Sequence, residues 1–236
     1  MALLETLMLS TSALHASKFL GSYEDLLSFD KDRRKLDVQF SRMEKVSSVA
    51  DECQYVSAKE MRNRNKNRYS NILPDHMPHL TSSGKRSEPD YINAVFLPNY
   101  KKKGAFIVTQ TPLPATKTDF RRLVVEHDVH TVVMMNNKSE MKTRKLQQIH
   151  FEGWPGVQRC LLLLRMNGAD RSGLFCVVSA VLERMKIEQD VAITQVINDM
   201  RNYREQIIPS VDQLQFVHEV VKEYILQNET YSNFTG

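Results

Sequence analysis

Apolar side chains recur at helical spacing towards both ends of this chain and at strand spacing through its middle. Leu3, Leu4 and Leu7 share one helical face, and Phe19, Tyr23, Leu26 and Leu27 repeat on a second segment. Residues 1–60 therefore read as N-terminal helices. From Met61 to Pro89 the chain is polar and rich in Asn, Arg, Pro and Ser, which predicts loops around a short apolar piece at Ile72 and Leu73. Strand-like runs follow at Tyr91–Leu97, Ala105–Thr109, His130–Met135, Leu146–Phe151 and Cys160–Leu164. A helix carrying Phe120, Leu123 and Val124 separates the second run from the third, with Thr116 or Thr118 as its cap. Beyond residue 174, Leu174, Val177, Val178, Val181 and Met185 mark one amphipathic helix, and Ala192, Val196, Met200 and Tyr203 mark another. Ser210, with Gln213 three places on, has the spacing of a capping box. It opens a third helix whose inner face is Leu214, Val217, Val220, Val221, Tyr224 and Ile225. Strands first and helices last, with some alternation, predict an α/β (α+β) fold with a mixed twisted sheet flanked by helices.

Length and composition fit one ordinary globular domain over residues 1–236, with 42% apolar and 25% charged residues. The longest apolar runs are a few residues, such as Leu161–Leu164, so no membrane span is expected. MALLETLML lacks a basic leader region, and the expected location is the cytoplasm. The formal net charge is +4. Basic residues cluster at Arg62, Arg64, Lys66 and Arg68 and at Lys101, Lys102 and Lys103. Lipid or nucleic-acid binding is a secondary reading of them, a solvated surface the main one, so no nucleic-acid partner is expected. Three cysteines, Cys53, Cys160 and Cys176, without CxxC spacing suit a reducing compartment. The pairs His76/His79 and His127/His130 lack further ligands at metal spacing, so neither metal nor cofactor is expected.

Four of the 8 glycines, Gly153, Gly156, Gly168 and Gly173, fall close together. The stretch CLLLLRMNGADRSGLF from Cys160 to Phe175 reads as strand, tight loop and helix. Such a junction turns backbone N–H groups inward and adds the positive end of a helix, which suits an anion. Arg171 can add a bidentate fork to a phosphate. A purely structural turn has the same local pattern.

Other stretches carry a resemblance. They are Lys66-Asn67-Arg68-Tyr69 with Ile72-Leu73-Pro74, Asp90-Tyr91-Ile92-Asn93-Ala94, Phe106-Ile107-Val108-Thr109-Gln110 with Pro112-Leu113, and Asp119-Phe120. His150-Phe151-Glu152-Gly153-Trp154-Pro155, Arg171-Ser172-Gly173, Val181-Leu182-Glu183-Arg184 and Val221-Lys222-Glu223-Tyr224-Ile225 follow in order. Together they resemble a protein tyrosine phosphatase domain, most closely the membrane-distal domain of receptor-type phosphatases of the alpha/epsilon or mu/kappa kind. The resemblance implies several dozen residues missing between Glu140 and Met141, and a helix missing between Pro155 and Leu161. Some central strands of the family's sheet are then absent.

The family's chemistry needs a cysteine thiolate as nucleophile and an arginine six places later to clamp phosphate. Arg171 fills the arginine position, but Arg165 stands where the cysteine belongs, and no Cys-x5-Arg occurs in the chain. Gly156 follows Trp154-Pro155 where the family has an acid; losing such a proton donor costs ~10²–10⁴ in rate. Pro209 takes the place of the water-orienting glutamine. Asn71 replaces a common aspartate, and Arg121 replaces a tryptophan. The resemblance thus implies a pseudophosphatase: an inactive regulatory or scaffold module in phosphotyrosine signalling. Its partners are proteins, including phosphotyrosine peptides or a catalytic phosphatase domain. Tyr69, Gly168, Arg171, Ser172 and Gly173 are the remnant of a phosphotyrosine site at the 165–173 loop. Either Tyr69 and Arg171 still hold phosphotyrosine, or Asp170 pairs with Arg165 or Arg171 and closes the pocket; the closed form is preferred. The competing reading is an active phosphatase with a nucleophile from elsewhere.

Overall fold

The computed structural model describes residues 13–47, 55–74, 91–135 and 160–234. Contacts group the chain into two compact units, residues 51–173 and residues 1–50 with 174–236. The expected helix at Leu3–Leu7, the strand at Leu146–Phe151, and Cys53, His76, His79 and Gly156 lie outside the described residues.

The unit formed by residues 51–173 is built on a four-stranded mixed sheet. Its strands are β4 (Ala94–Leu97), β5 (Phe106–Gln110), β6 (Val129–Met134) and β7 (Cys160–Arg165), in the order β4-β5-β7-β6. β4 pairs antiparallel with β5, whereas β7 lies parallel to both β5 and β6. The Leu161–Leu164 run suits this central place, because a strand covered on both faces needs apolar residues at every position. Leu162 and Leu164 share one face with Ile107, and pack with Ile92, Ala94 and Leu123 into a core cluster. Leu123 comes from α4 (Lys117–Glu126), which connects β5 to β6 together with Phe120 and Val124 at the cluster's edge. Thr116 is the residue before α4, but its hydroxyl takes the Leu113 N–H at 2.9 Å rather than capping the helix.

The same unit corrects the loop expected from Met61. A short helix, α3 (Val56–Lys59), and a 3₁₀ turn at Met61–Lys66 precede an irregular stretch to Pro74. No apolar period announces that turn; Asn63 holds it by donating from Nδ2 to the Ser57 carbonyl at 2.8 Å. The predicted strand at Tyr91–Leu97 narrows to Ala94–Leu97 because Tyr91 and Asn93 spend their side chains on the preceding loop.

The other unit is mainly helical. α1 (Ala16–Leu27), α2 (Lys35–Ser47), α6 (Ile193–Arg201) and α7 (Val211–Phe234) join the longer part of α5 (Asp170–Glu188), which begins in the sheet unit. The regions expected to be purely helical also hold short antiparallel pairs. β1 (Leu14–His15) pairs with β8 (Asp190–Val191), and β2 (Phe29–Asp30) with β3 (Arg33–Arg34). Phe19 and Tyr23 are buried as the spacing predicts, but Leu27 is exposed at the end of α1. Leu214, Val217, Val221 and Ile225 form the inner face of α7, with Val220 and Tyr224 half-buried at its border. Ser210 Oγ accepts the Gln213 N–H at 3.3 Å, so half of the expected capping box forms. α6 stops at Arg201, short of Tyr203, because Arg201 turns back to bind the carbonyls of Ile207 and Ile208.

Candidate phosphate loop

The 165–173 segment takes the predicted form of strand, tight turn and helix, although Asp170–Gly173 already belong to the first turn of α5. The main-chain turn relies on Gly168, whose φ of +65° is disfavoured for residues carrying a Cβ. Asn167 Oδ1 accepts the Ala169 N–H at 3.1 Å, and Gly173 N–H reaches the Ala169 carbonyl at 2.7 Å. The loop is thereby fixed by its own backbone and side chains, with the sheet end on one side and a helix start on the other.

Two charged side chains occupy it. Arg165, at the end of β7, is only 8% exposed. Its Nε donates to Asp170 Oδ1 at 3.1 Å, a second nitrogen reaches Oδ2 at 3.4 Å, and Nη1 donates to the Met135 carbonyl at 3.0 Å. Asp170 Oδ1 also accepts the Arg171 backbone N–H at 2.6 Å. A carboxylate of the chain itself therefore sits at the N-terminus of α5, where the helix dipole favours negative charge. Charge-assisted hydrogen bonds of this kind are the stronger ones. Arg171 is half-buried in the same turn. Ser172 is fully buried, and its Oγ finds no hydrogen-bond partner among the described residues.

Tyr69 is 41% exposed, on a segment strapped down from several directions. Gln110, at the end of β5, accepts the Arg68 N–H at 2.9 Å and donates to the Lys66 carbonyl at 2.7 Å. Asn67 Oδ1 accepts from the Tyr91 hydroxyl and from Asn93 Nδ2. Lys66 Nζ lies 2.7 Å from Asp119 Oδ2, with both groups largely buried. Asn67, Asn93, Gln110 and Asp119 position the Tyr69 segment; in the sequence they stand only as letters of the family-like motifs. Their partners are far apart in sequence, so only the motif spelling signalled them.

This network also reassigns part of the basic cluster. Arg62 and Arg64 are exposed, but Lys66 is spent on Asp119 and Arg68 donates to the Thr111 carbonyl at 3.1 Å. The stretch is thus half internal scaffold and half solvated surface. Lys101 and Lys103 are exposed and Lys102 is half-buried.

Of the thiols, Cys176 lies fully buried on α5, and burial pushes it well above the ordinary thiol range, which disfavours a thiolate. Cys160 is the first residue of β7. Pro209 is exposed and belongs to the helical unit, next to Ile208, whose φ is +54°. Asn71 and Arg121 are exposed. Among the described residues there is no group of three or more His, Cys, Asp or Glu side chains able to hold a metal, and no helix long and apolar enough to cross a membrane.

The family model for protein-tyrosine phosphatase matches residues 63–157 and 155–223. The two stretches meet where a missing helix is expected. Receptor-type tyrosine-protein phosphatase alpha of Mus musculus is 26% identical over 244 residues, 73% of this chain and 29% of that protein. Receptor-type tyrosine-protein phosphatase F of Rattus norvegicus is 30% identical over 239 residues, 71% of this chain and 13% of its relative. The chain thus spans less than a third of either relative's length. Among solved structures, PTPN18 in complex with HER2-pY1196 phosphopeptides matches with a TM-score of 0.75 at 20% identity, over 89% of this chain and 99% of that one. That likeness gives the same mixed α/β fold, and the family model covers most of the chain: it belongs to the protein-tyrosine phosphatase family.

Proposed function

We propose that this domain is a pseudophosphatase, a regulatory or scaffold module of receptor type that contacts proteins in phosphotyrosine signalling without hydrolysing phosphotyrosine. The observation that carries the reading is the Arg165–Asp170 pair. The guanidinium stands where the family mechanism needs a thiolate, and the carboxylate takes the anion position at the helix start. A phosphate dianion entering the loop meets a negative charge already hydrogen-bonded there, so its entry is opposed by repulsion and by the loss of those bonds. The buried thiol of Cys176 gives no substitute nucleophile. Gly156 in place of an acid removes the proton donor for the leaving oxygen. PTPN18 carries phosphopeptides in its complex; in this chain the equivalent remnant, Tyr69, Gly168, Arg171, Ser172 and Gly173, is held shut. The partners are then folded protein surfaces, a catalytic phosphatase domain among them, on the cytoplasmic side of the membrane.

The test is phosphate release from a phosphotyrosyl peptide at high enzyme concentration. The expected result is no release above a buffer blank. Release that disappears on Arg171→Ala would establish an active phosphatase instead.

A further inference from the structure

Away from the phosphate loop, we propose that the β4–β5 hairpin is a docking surface for an anionic lipid bilayer, which it meets with Lys101, Lys102 and Lys103. β4 and β5 pair antiparallel from Ala94↔Thr109 to Leu97↔Phe106, and residues 98–105 form the tip between them. The Asn99 N–H donates to the Lys102 carbonyl at 2.8 Å and closes the turn. The chain leaves it through Gly104, whose φ is +69° and where a Cβ would stand 3.5 Å from the Phe96 ring. The turn is thus closed by its own backbone and rests on an aromatic side chain. Tyr100, Lys101 and Lys103 are exposed on it, and Lys102 is half-buried.

The charge of the tip is one-sided. No Asp or Glu occurs between Asp90 and Asp119, so neither the strands nor the turn carry an acid. β7, whose Leu161 N–H donates to the Ala105 carbonyl at 3.2 Å, has none either. The end of α4 packs beside β4, where the Phe96 ring meets His127 edge-on with centroids 5.1 Å apart. There Glu126 is bonded to Arg122 at 3.3 Å, and Asp128 Oδ1 lies 3.7 Å from His130 Nε2. Even with Asp128 counted in full against the three lysines, the balance stays positive. All three cations are lysines, whose compact charge suits a diffuse negative field; a single phosphate or carboxylate is better matched by the arginine fork. Tyr100 adds an amphipathic ring of the kind that settles at headgroup depth. The tip lies where β5 and β7 begin, and the phosphate loop follows the other end of β7, so the two occupy opposite ends of the sheet.

The experiment is vesicle flotation of the intact chain at about 20 mM salt, where charges are weakly screened, with phosphatidylcholine alone or mixed equally with phosphatidylserine. The native chain should float with the mixed vesicles, half-bound at roughly 1–10 mM lipid. It should stay down with the neutral ones and be released at about 1 M salt. Lys101→Gln with Lys103→Gln should weaken binding about tenfold, and Lys101→Glu with Lys103→Glu at least as much. Arg62→Glu with Arg64→Glu makes the same change in net charge at the opposite end of β5, where Gln110 bonds the Lys66 carbonyl. That pair should weaken binding by less than about threefold. Thermal melts verify that the variants keep the fold. No flotation with mixed vesicles, equal flotation with neutral ones, or equal losses from the two Glu pairs would overturn the bilayer surface. So would a short DNA duplex that binds through the same lysines more tightly than the vesicles do.

Discussion

Arg165 and Asp170 set the behaviour of the loop, and each has a measurable consequence. Asp170→Ala takes the carboxylate away from a largely buried guanidinium that also donates to the Met135 carbonyl. The pair is partly screened, so the expected loss is about 2 kcal/mol rather than the full cost of breaking a buried pair; chemical denaturation measures it. Asp170→Asn should lose less, since its amide oxygen still accepts from Arg165. His218 gives a residue-scale prediction about pH. Burial holds its pKa below the ordinary value, so the unfolded chain binds the proton more readily than the folded one. Its contribution is therefore present above the unfolded pKa of about 6.5, and is lost as pH falls through the lower folded value. Melting temperatures compared at pH 7.5 and pH 5 should fall more steeply for the native chain than for His218→Phe, which keeps a ring in the stack. Equal slopes would mean that His218 is not buried as a neutral ring.

At the scale of elements, helix ends and irregular turns are held by specific side chains. Ser210→Ala removes the hydroxyl that accepts the Gln213 N–H and should cost about 1 kcal/mol, read from the unfolding midpoint. Arg201 is buried, donates to the Ile207 and Ile208 carbonyls, and pairs with Glu44 at 2.7 Å. Arg201→Ala frees a segment in which Ile208 adopts a left-handed φ, and should cost about 3 kcal/mol. The sequence made some of these elements readable and hid others for physical reasons. β5 and β7 declare themselves through uninterrupted apolar runs, and α7 through its cap and 3.6-residue period. α2 lies in the stretch expected to be helical, although Leu36, Val38 and Phe40 alternate as a strand would; packing favours the helix, which buries Leu36 and Met43. The loop's shape and the identity of Arg165 and Asp170 were legible, being local. The network from Asn67, Asn93 and Gln110 joins residues 24 to 44 positions apart and leaves no periodic trace.

Across the whole molecule, the proposed reading is that the family pattern is kept where it builds structure and altered where it would do chemistry. Lys66–Asp119 and Gln110 still brace the Tyr69 segment, and Gly168 still turns the loop. In the proposed reading, the Arg171 N–H that would meet a phosphate meets Asp170 instead. This contrast concerns binding before it concerns turnover. The most direct measurement is thermal unfolding of the native chain and of Asp170→Asn, each with and without excess phosphotyrosyl peptide. Ligand at ~100 times its dissociation constant adds ~2.7 kcal/mol, which is about 5–10 °C for a chain of this size. An unshifted melt is expected for the native chain and an upward shift for Asp170→Asn. A native melt that rises with peptide would contradict it, for the loop would then be open to phosphate with Asp170 in place.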